Sequence, residues 1–458
     1  MFRMQENSIR LPSEQHICQS ILEFYDYLRI RIRFAFWMPE LTKRIRIMIV
    51  YAIAVISLIA LLVDYYIYRR IIRKHRFGKW MRVGYIVYAL AVDLIIVSAL
   101  IFYRNSLDRE SPQLLHAVSW VFFLFFLNAL PKLTYVLVSL PDLLVRRITH
   151  RTSRLFGYAG TALGLYVFTA MLWGGSVGRS RIEVRRVDIT SPRIPAAFDG
   201  FRIVQFSDTH IGMLIHSDRI LSRMVDTINA LHPDIVVNSG DLVNSHVTEL
   251  TPEIVSVLSG VRAPVYSVLG NHDLGVYIHD TLKLSPEENV RRLLTLQRQM
   301  GWIPLVNESR FLTRGTDRIT ISGVNFPANY KLNGHASSMC GVDLERTFDG
   351  VPDSLYNITV SHAPQLWDNL LVAGKSDLTL AGHVHSMQMK FRLGKWAWSP
   401  ARWMYVRWSG LYEEGNRQLY INDGIGYVLY PMRIGTYPEV TLIVLHHGTD
   451  TRAKTIRP

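Results

Sequence analysis

Cysteine is almost absent: Cys18 and Cys340 are the only two in 458 residues, far apart in the chain. That excludes a disulfide framework and any metal site built from paired cysteines, and it leaves the redox compartment open. Internal repeats and low-complexity tracts are missing too, which excludes a repeat array. The first 46 residues hold no apolar core of the kind that a cleavable secretion signal requires. The second part of the chain lacks any basic excess. Through Arg186 there are 26 Lys and Arg against 11 Asp and Glu, whereas from Val187 onward there are 25 against 26. The formal net charge of +14 therefore belongs to the N-terminal part. A near-neutral C-terminal part argues against a nucleic-acid groove, so no nucleic-acid binding is expected. Basic residues beside apolar segments fit the flanks of a bilayer instead.

Apolar runs cover residues 47–68, 83–102 and 155–174, and another starts near Leu114, is interrupted at Pro131 and Lys132, and continues to Leu140. Each is of crossing length, at roughly 20 residues per span. Gly160 and Gly164 would let a neighbouring helix approach the last run closely. Four spans put both ends of the region on one side. The loop 69–82 is very basic, and the third loop carries Arg146, Arg147, Arg151 and Arg154. The positive-inside rule then places those loops in the cytoplasm and the C-terminal part outside. Lys43, Arg44, Arg46 and the arginines of 179–186 pull the other way. The expectation is a multi-pass protein of the cell membrane with its C-terminal domain extracytoplasmic. Asp93 falls mid-span, where a charge is costly. With no second charged partner at that depth, a protonated Asp93 bonded to a neighbouring helix is preferred over a relay.

After a linker around 182–195 the pattern changes to strand, amphipathic helix, strand. Residues 201–207 read as a strand and 217–231 as a helix capped by Ser217. Residues 234–239, a short helix near 252–259, and 264–269 continue a βαβαβ unit. From Trp302 shorter strands follow, including 310–314 and 317–323 around a turn at Thr316 and Asp317. The organisation expected is a tail (1–46), a four-helix transmembrane domain (47–176), a linker (177–199), an α/β domain (200–446) and a C-terminal tail (447–458). The fold class is thus an α-helical transmembrane region of four spans followed by an α/β two-sheet sandwich.

Five fragments of the α/β domain end in metal-ligand residues. They are Asp208 and His210 around Thr209, Asp241 after Gly240, Asn271, His272 and Asp273 after Gly270, His362 after Ser361, and His383 and His385 after Gly382. Each follows a β-like run: 201–206, 234–238, 264–269, 356–360 and 376–380. Strands that deliver polar residues at their C-terminal ends build a site along one sheet edge. A lone Asp-x-His is common by chance; five fragments in strand-end order are not. Carboxylate, imidazole and amide donors together suit manganese, iron or zinc. Two divalent metal ions can deprotonate a water and neutralise phosphoryl oxygens during ester hydrolysis.

These fragments resemble the calcineurin-like metallophosphoesterase superfamily, in its membrane-associated bacterial branch, over about residues 201–445. The surroundings of Leu411 to Gly415, Asn422 to Gly426 and Pro438 to Val440 strengthen the likeness. The resemblance implies that Asp208, His210 and His385 bind one metal and that Asn271, His362 and His383 bind the other. Asp241 would bridge them, and a hydroxide shared by the pair would attack phosphorus in line. It also implies that His272 acts on the leaving group as catalytic acid or transition-state stabiliser. Asn244 and Asp273 stand beside these positions as candidates to orient them. In the family the place of Asn244 is often an Asp that orients the catalytic His, and that of Ser245 an Arg that holds phosphate in protein phosphatases. Their absence weakens a phosphoprotein substrate and leaves His272 without its usual support. Val384 stands where Ser or Thr is usual, with its side chain expected to point away on an extended segment.

The remaining histidines of the C-terminal part, His216, His232, His246, His279, His335, His446 and His447, lack such context. Only His216 and His246 trail ligand loops closely enough to reach a site rim. Residues 395–412 interleave Trp396, Trp398, Trp403, Tyr405, Trp408 and Tyr412 with Arg402 and Arg407. Two readings stay open for them, a place in the headgroup layer or a packed flap. The function expected is a membrane-anchored hydrolase of a phosphodiester or pyrophosphate, including one carried on a lipid. The alternatives are a phosphomonoesterase of the same fold, a metal-dependent sensor without catalysis, and a transporter made by the spans. The oligomeric state stays open.

Overall fold

The computed structural model describes residues 55–74, 77–105, 111–150, 154–214, 217–277, 284–326, 341–394, 396–449 and 454–456. The tail 1–46, residues 47–54 of the first expected span, Cys18, Cys340, His216, His279 and His335 lie outside the described residues. The chain divides after Val97 into two compact units.

In the first unit, residues 55–67 are helical (α1) and run into a π-helical turn, Tyr68–Ile72. Helix α2, Lys79–Asn105, begins there. The Tyr85 hydroxyl donates to Asp64 Oδ1 at 2.6 Å. Oδ1 of Asp93 is buried with no hydrogen-bond partner among the described residues. The expected bond to a neighbouring helix is therefore not seen at that atom.

In the second unit, α3 (Pro112–Thr149) is one unbroken helix of 38 residues with Pro131 and Pro141 inside it. Pro131 and Lys132 interrupt the apolar run in the sequence, yet the helix continues through them. In an apolar medium the helix has no water to take over its backbone bonds, so it absorbs the proline and continues. Helix α4, Leu155–Ser176, packs along it. A Cβ at Gly160 would stand 3.0 Å from the Tyr135 carbonyl oxygen, and one at Gly164 would stand 2.9 Å from that of Pro131. The two glycines thus bring backbone against backbone. Among the described residues three helices, Lys79–Phe102, Gln113–Thr149 and Leu155–Ser180, are long and apolar enough to cross a membrane.

The expected linker contains a strand. β1, Glu183–Ser191, pairs in parallel with a strand from the far end of the chain, β14, Glu439–His447. The expected C-terminal tail likewise contributes β15, Lys454–Ile456, to β1. The other strands are β2 (Phe201–Phe206), β3 (Ile235–Asn238), β4 (Val265–Ser267), β5 (Ile303–Pro304), β6 (Glu308–Arg314), β7 (Asp317–Val324), β8 (Asn357–Ser361), β9 (Leu378–Ala381), β10 (Phe391–Leu393), β11 (Trp396–Trp398), β12 (Gly410–Glu414) and β13 (Arg417–Ile421). One sheet has the order β15-β1-β14-β2-β3-β4-β5 and the other β12-β13-β9-β8-β7-β6.

Alternation along the strands assigns each residue to a layer. Phe201 and Ile203 of β2, with Ile235 and Val237 of β3, meet Ile358, Val360, Leu378 and Leu380 of the second sheet. Val204, Phe206 and Val236 point the opposite way, into the layer that holds α5 (Ser217–Ala230), α6 (Pro252–Leu258) and α7 (Pro286–Gln299). Two short helices complete the set: α8 (Leu344–Thr347) and α9 (Trp367–Ala373). This is the two-sheet α/β sandwich, and β2, β3, β4, β8 and β9 all end at one edge.

Candidate metal centre

The ligand fragments leave those strand ends as tight turns. Asp208, His210, Asp241, His383 and His385 all adopt left-handed backbone, with φ between 43° and 74°. Such conformations are costly for residues with a Cβ and persist only where surrounding structure over-determines them. The turn around Val384 is not the extended segment expected. Val384 is helical in φ and ψ, His385 opens a short left-handed turn to Gln388, and the Val384 side chain is buried against Trp367, Ala381 and Ala401. It still leaves the site undisturbed, but by packing into a cluster rather than by strand alternation. Glycines let the turns close. A Cβ at Gly382 would stand inside contact distance of Ser207 Oγ and the Asp208 carboxylate.

The structure brings the expected residues together in three overlapping clusters, whose ligand atoms lie within 4.8 Å of one another. Asp208, His210 and His385 form one; Asp241, His362 and His383 form another; His210, Asp241 and His272 form the third. His385 Nε2 is 3.0 Å from Asp208 Oδ1, and it faces His210 Nε2 at 3.1 Å. His362 donates from Nδ1 to the Ser239 carbonyl at 2.8 Å, which turns Nε2 toward Asp241 Oδ2 at 3.1 Å. The backbone N–H of His383 donates to Asp208 at 3.1 Å. Asn271 donates from Nδ2 to the Tyr277 hydroxyl at 3.0 Å, while its Oδ1 is buried with no hydrogen-bond partner among the described residues.

Electrostatics follow from that crowding. Burial would raise the Asp208 carboxyl, but His385 and His362 hold it below the usual carboxylate range. Burial also opposes ionisation of Asp241, and His362 and His272 outweigh it, so that carboxyl lies well below the usual range. Burial disfavours the His362 cation, yet Asp241 pushes the imidazole up to about 9. Burial and the nearby His362 hold His383 down to about 3. His210 is lowered well below its ordinary value by burial and by His272. Buried carboxylates, imidazoles facing one another and an Asn271 Oδ1 without a hydrogen-bond partner among the described residues form a donor set that fits divalent cations.

The supporting residues differ from expectation in an informative way. The Asn244 side chain turns to Ser245 Oγ at 3.0 Å. Its backbone carbonyl instead accepts from His272 Nδ1. The family's carboxylate is thus replaced by a peptide oxygen. The His272 ring also lies tilted against Tyr277, with centroids 4.5 Å apart, and the backbone N–H of His272 donates to Asp241 Oδ1 at 2.9 Å. Asp273 accepts from the N–H groups of Asp241, Leu242, Val243 and Gly270 at 2.8–3.1 Å. Burial and the Asp241 charge raise its carboxyl to about 7 against those donors.

Motif reading missed Glu249 and Arg433. Glu249 is buried and accepts from the N–H groups of Gly212, Asn244, Ser245 and His246. Its spacing of three from His246 matches a capping box, the one local signal that could have found it. His246 is occupied in that cap rather than at a rim. The Arg433 guanidinium, fully buried, donates to the carbonyls of Gly426 and Asp423 at 2.9 Å and lies 3.4 Å from His385 Nδ1. Burial brings it down to about 10.

Comparison with known proteins fits this geometry. Residues 45–179 match the family described as "Probable Calcineurin-like phosphoesterase, transmembrane domain", and residues 201–387 match "Calcineurin-like phosphoesterase". The uncharacterized metallophosphoesterase YkuE of Bacillus subtilis is 27% identical over 291 residues, 60% of this chain and 92% of that protein. A transmembrane protein with metallophosphoesterase domain from Danio rerio is 30% identical over 295 residues, 62% of each chain. The UDP-2,3-diacylglucosamine pyrophosphatase LpxG of Chlamydia muridarum is 24% identical over 313 residues, 59% of this chain and 93% of that protein. With a transmembrane domain ahead of its α/β sandwich, the chain belongs to the calcineurin-like phosphoesterases and is a hydrolase of phosphoric esters.

Proposed function

We propose that the sandwich hydrolyses a phosphodiester or a pyrophosphate at a site for two divalent cations, manganese, iron or zinc. Asp208, His210 and His385 would hold one, Asn271, His362 and His383 the other, and Asp241 would be shared. The observation that carries this reading is the double membership of Asp241, which clusters both with His362 and His383 and with His210. Cations bound there would lower the pKa of a water and neutralise charge on phosphoryl oxygens.

The chain's own residues supply the rest. The bond from His272 Nδ1 to the Asn244 carbonyl fixes the tautomer and leaves Nε2 as the atom available to a leaving oxygen. Asp273 holds the Asp241 turn through four N–H groups, and Asp241 in turn anchors the N–H of His272. At the place of the phosphate-binding arginine, Ser245 offers no cation. That favours a substrate with fewer charged phosphoryl oxygens over a phosphoprotein. The pyrophosphatase name of the Chlamydia muridarum relative supports the same preference and a lipid-borne substrate.

The catalytic domain is proposed to be extracytoplasmic. Residues near the N-terminal end of α3 and the C-terminal end of α4 contact the sandwich, so the far end of α3, with Arg146 and Arg147 in its last turn, faces the other side. A cysteine introduced at Val372, which is 91% exposed, with Cys18 and Cys340 changed to serine, should react with an impermeant thiol reagent in intact cells.

Purified full-length chain in nanodiscs should turn over a chromogenic diester or a lipid pyrophosphate at least about tenfold faster than the matching monoester, a barrier difference near 1.4 kcal/mol. Faster monoester turnover would refute the substrate class. Full activity in Asp241→Asn would refute the shared ligand.

A further inference from the structure

The aromatic segment after His385 separates into two sets. Tyr405, Trp408 and Tyr412 pack on the cluster formed by Trp367, Val384 and Ala401. Leu393, Trp396, Trp403, Met404 and Val406 are 80%, 54%, 77%, 71% and 90% exposed. Five large apolar side chains within 14 residues form a patch of the kind that marks an interaction surface. Leu393 and Trp396 stand on the antiparallel hairpin β10–β11, Trp403 ends the 3₁₀ turn Pro400–Trp403 that follows it, and Met404 and Val406 come directly after that turn. The exposed cation Arg402 lies among them.

The two ends of this segment decide what it meets. Met389, just before β10, packs with Tyr430 and Ile434 on Phe123 of α3 and Met171 of α4, which are membrane helices. Met389 also pairs with Ile434 as a β-bridge, and a Cβ at Gly174 would stand 2.8 Å from the Ile434 side chain. The hairpin therefore springs from the point where the last turns of a membrane span meet the sandwich, at the depth of a bilayer surface. Leu429, 68% exposed, adds to the apolar surface at that level. At the other end, the Tyr405 hydroxyl is 3.4 Å from His383 Nε2. One stretch of chain, 389–405, runs from the membrane helices to the metal centre.

We propose that residues 391–394 and 396–406 are seated in the bilayer, with Leu393, Trp396, Trp403, Met404 and Val406 at the boundary between headgroups and acyl chains. Seated there, the segment admits to the His383 side of the site a phosphate carried by a lipid of that leaflet. Tryptophan and arginine suit this layer, since each pairs an apolar body with a polar tip. The admission step rests on the hydrolase reading above; the seating of the hairpin does not.

The test uses full-length chain in nanodiscs made with acyl-brominated lipid, whose bromines quench nearby indoles. The parent should lose more fluorescence than a Trp396→Phe, Trp403→Phe variant, and the difference spectrum should be strongly quenched. An unquenched difference spectrum overturns the seating and points to a protein partner instead. In parallel, a Leu393→Ser, Met404→Ser, Val406→Ser variant should turn over vesicle-borne phosphodiester at least about tenfold more slowly, a change near 1.4 kcal/mol. Its turnover of a water-soluble chromogenic diester should be unchanged. Equal losses on both substrates overturn the admission step. If the parent hydrolyses neither substrate under any metal loading, the hydrolase reading fails, and the quenching result still decides the seating.

Discussion

Replacing Glu249 with glutamine isolates one link between scaffold and chemistry. Its Oε2 accepts from Gly212 at 2.8 Å and Asn244 at 2.6 Å, and its Oε1 accepts from Ser245 at 2.7 Å and His246 at 3.3 Å. Glutamine keeps one oxygen and turns an NH₂ group toward the other pair of donors. Hydrogen bonds to a charged acceptor contribute about 1.5–3 kcal/mol each, so losing two costs roughly 3–6 kcal/mol. For a domain of this size that is a fall in Tm on the order of 10 °C. The kinetic consequence is more specific. Glu249 fixes the Asn244 peptide, whose carbonyl receives His272 Nδ1. A displaced His272 forfeits part of an acid-catalysis factor of about 10²–10⁴. Alkyl diesters need a proton on the leaving oxygen and should lose about 10- to 100-fold in kcat, with KM and bound metal unchanged. A p-nitrophenyl diester, whose leaving group departs unaided, should lose far less. Thermal melts, elemental analysis and kcat on the two diesters measure each part. Equal losses on both diesters in a folded, metal-loaded variant would refute the chain from Glu249 through Asn244 to His272.

His272→Ala should keep its metal and Tm and slow alkyl diesters by about 10²–10⁴ in kcat, read against the p-nitrophenyl diester. Gly382→Ala places a methyl group against Ser207 Oγ and Asp208, so it should lower bound metal per chain in elemental analysis before it lowers helical content by circular dichroism. Arg433→Met leaves the buried carbonyls of Asp423 and Gly426 without a donor, at about 1–3 kcal/mol each, and should lower Tm accordingly while Arg433→Lys recovers part of the loss.

The strand-end fragments were legible because each couples a local period-2 pattern to a ligand residue at a fixed offset, and both signals are short-range. What escaped was set by partners distant in sequence. β1 reads as a linker because its neighbour β14 pairs Glu183 with Glu439, and no local pattern announces that. Glu249 and Arg433 look like ordinary surface charges until folding surrounds them with peptide groups. The extended geometry expected at Val384 failed for a different reason: the ligand turns adopt left-handed backbone that local propensity disfavours, as strained functional sites commonly do.

The run His385, Ser386, Met387 and Gln388 is left-handed at every residue, with φ from 45° to 56°. At about 1–3 kcal/mol for each such residue, it holds only if neighbouring structure insists on it. Ser386 Oγ donates to Asp423 at 2.6 Å, and that carboxylate also receives Lys390 and, at 3.0 Å, Arg185. Gln388 donates to the carbonyls of Tyr430 at 2.9 Å and Met432 at 3.0 Å. The loop that provides those carbonyls is itself held by the membrane helices, because Arg433 N–H donates to the Gly174 carbonyl at 3.2 Å and Met432 is buried among Phe123 and Met171. The strain at His385 is therefore borne in part by α3 and α4. The membrane region of this hydrolase is not only a tether: its last turns are among the contacts that keep one of the proposed metal ligands in a conformation the backbone would otherwise abandon.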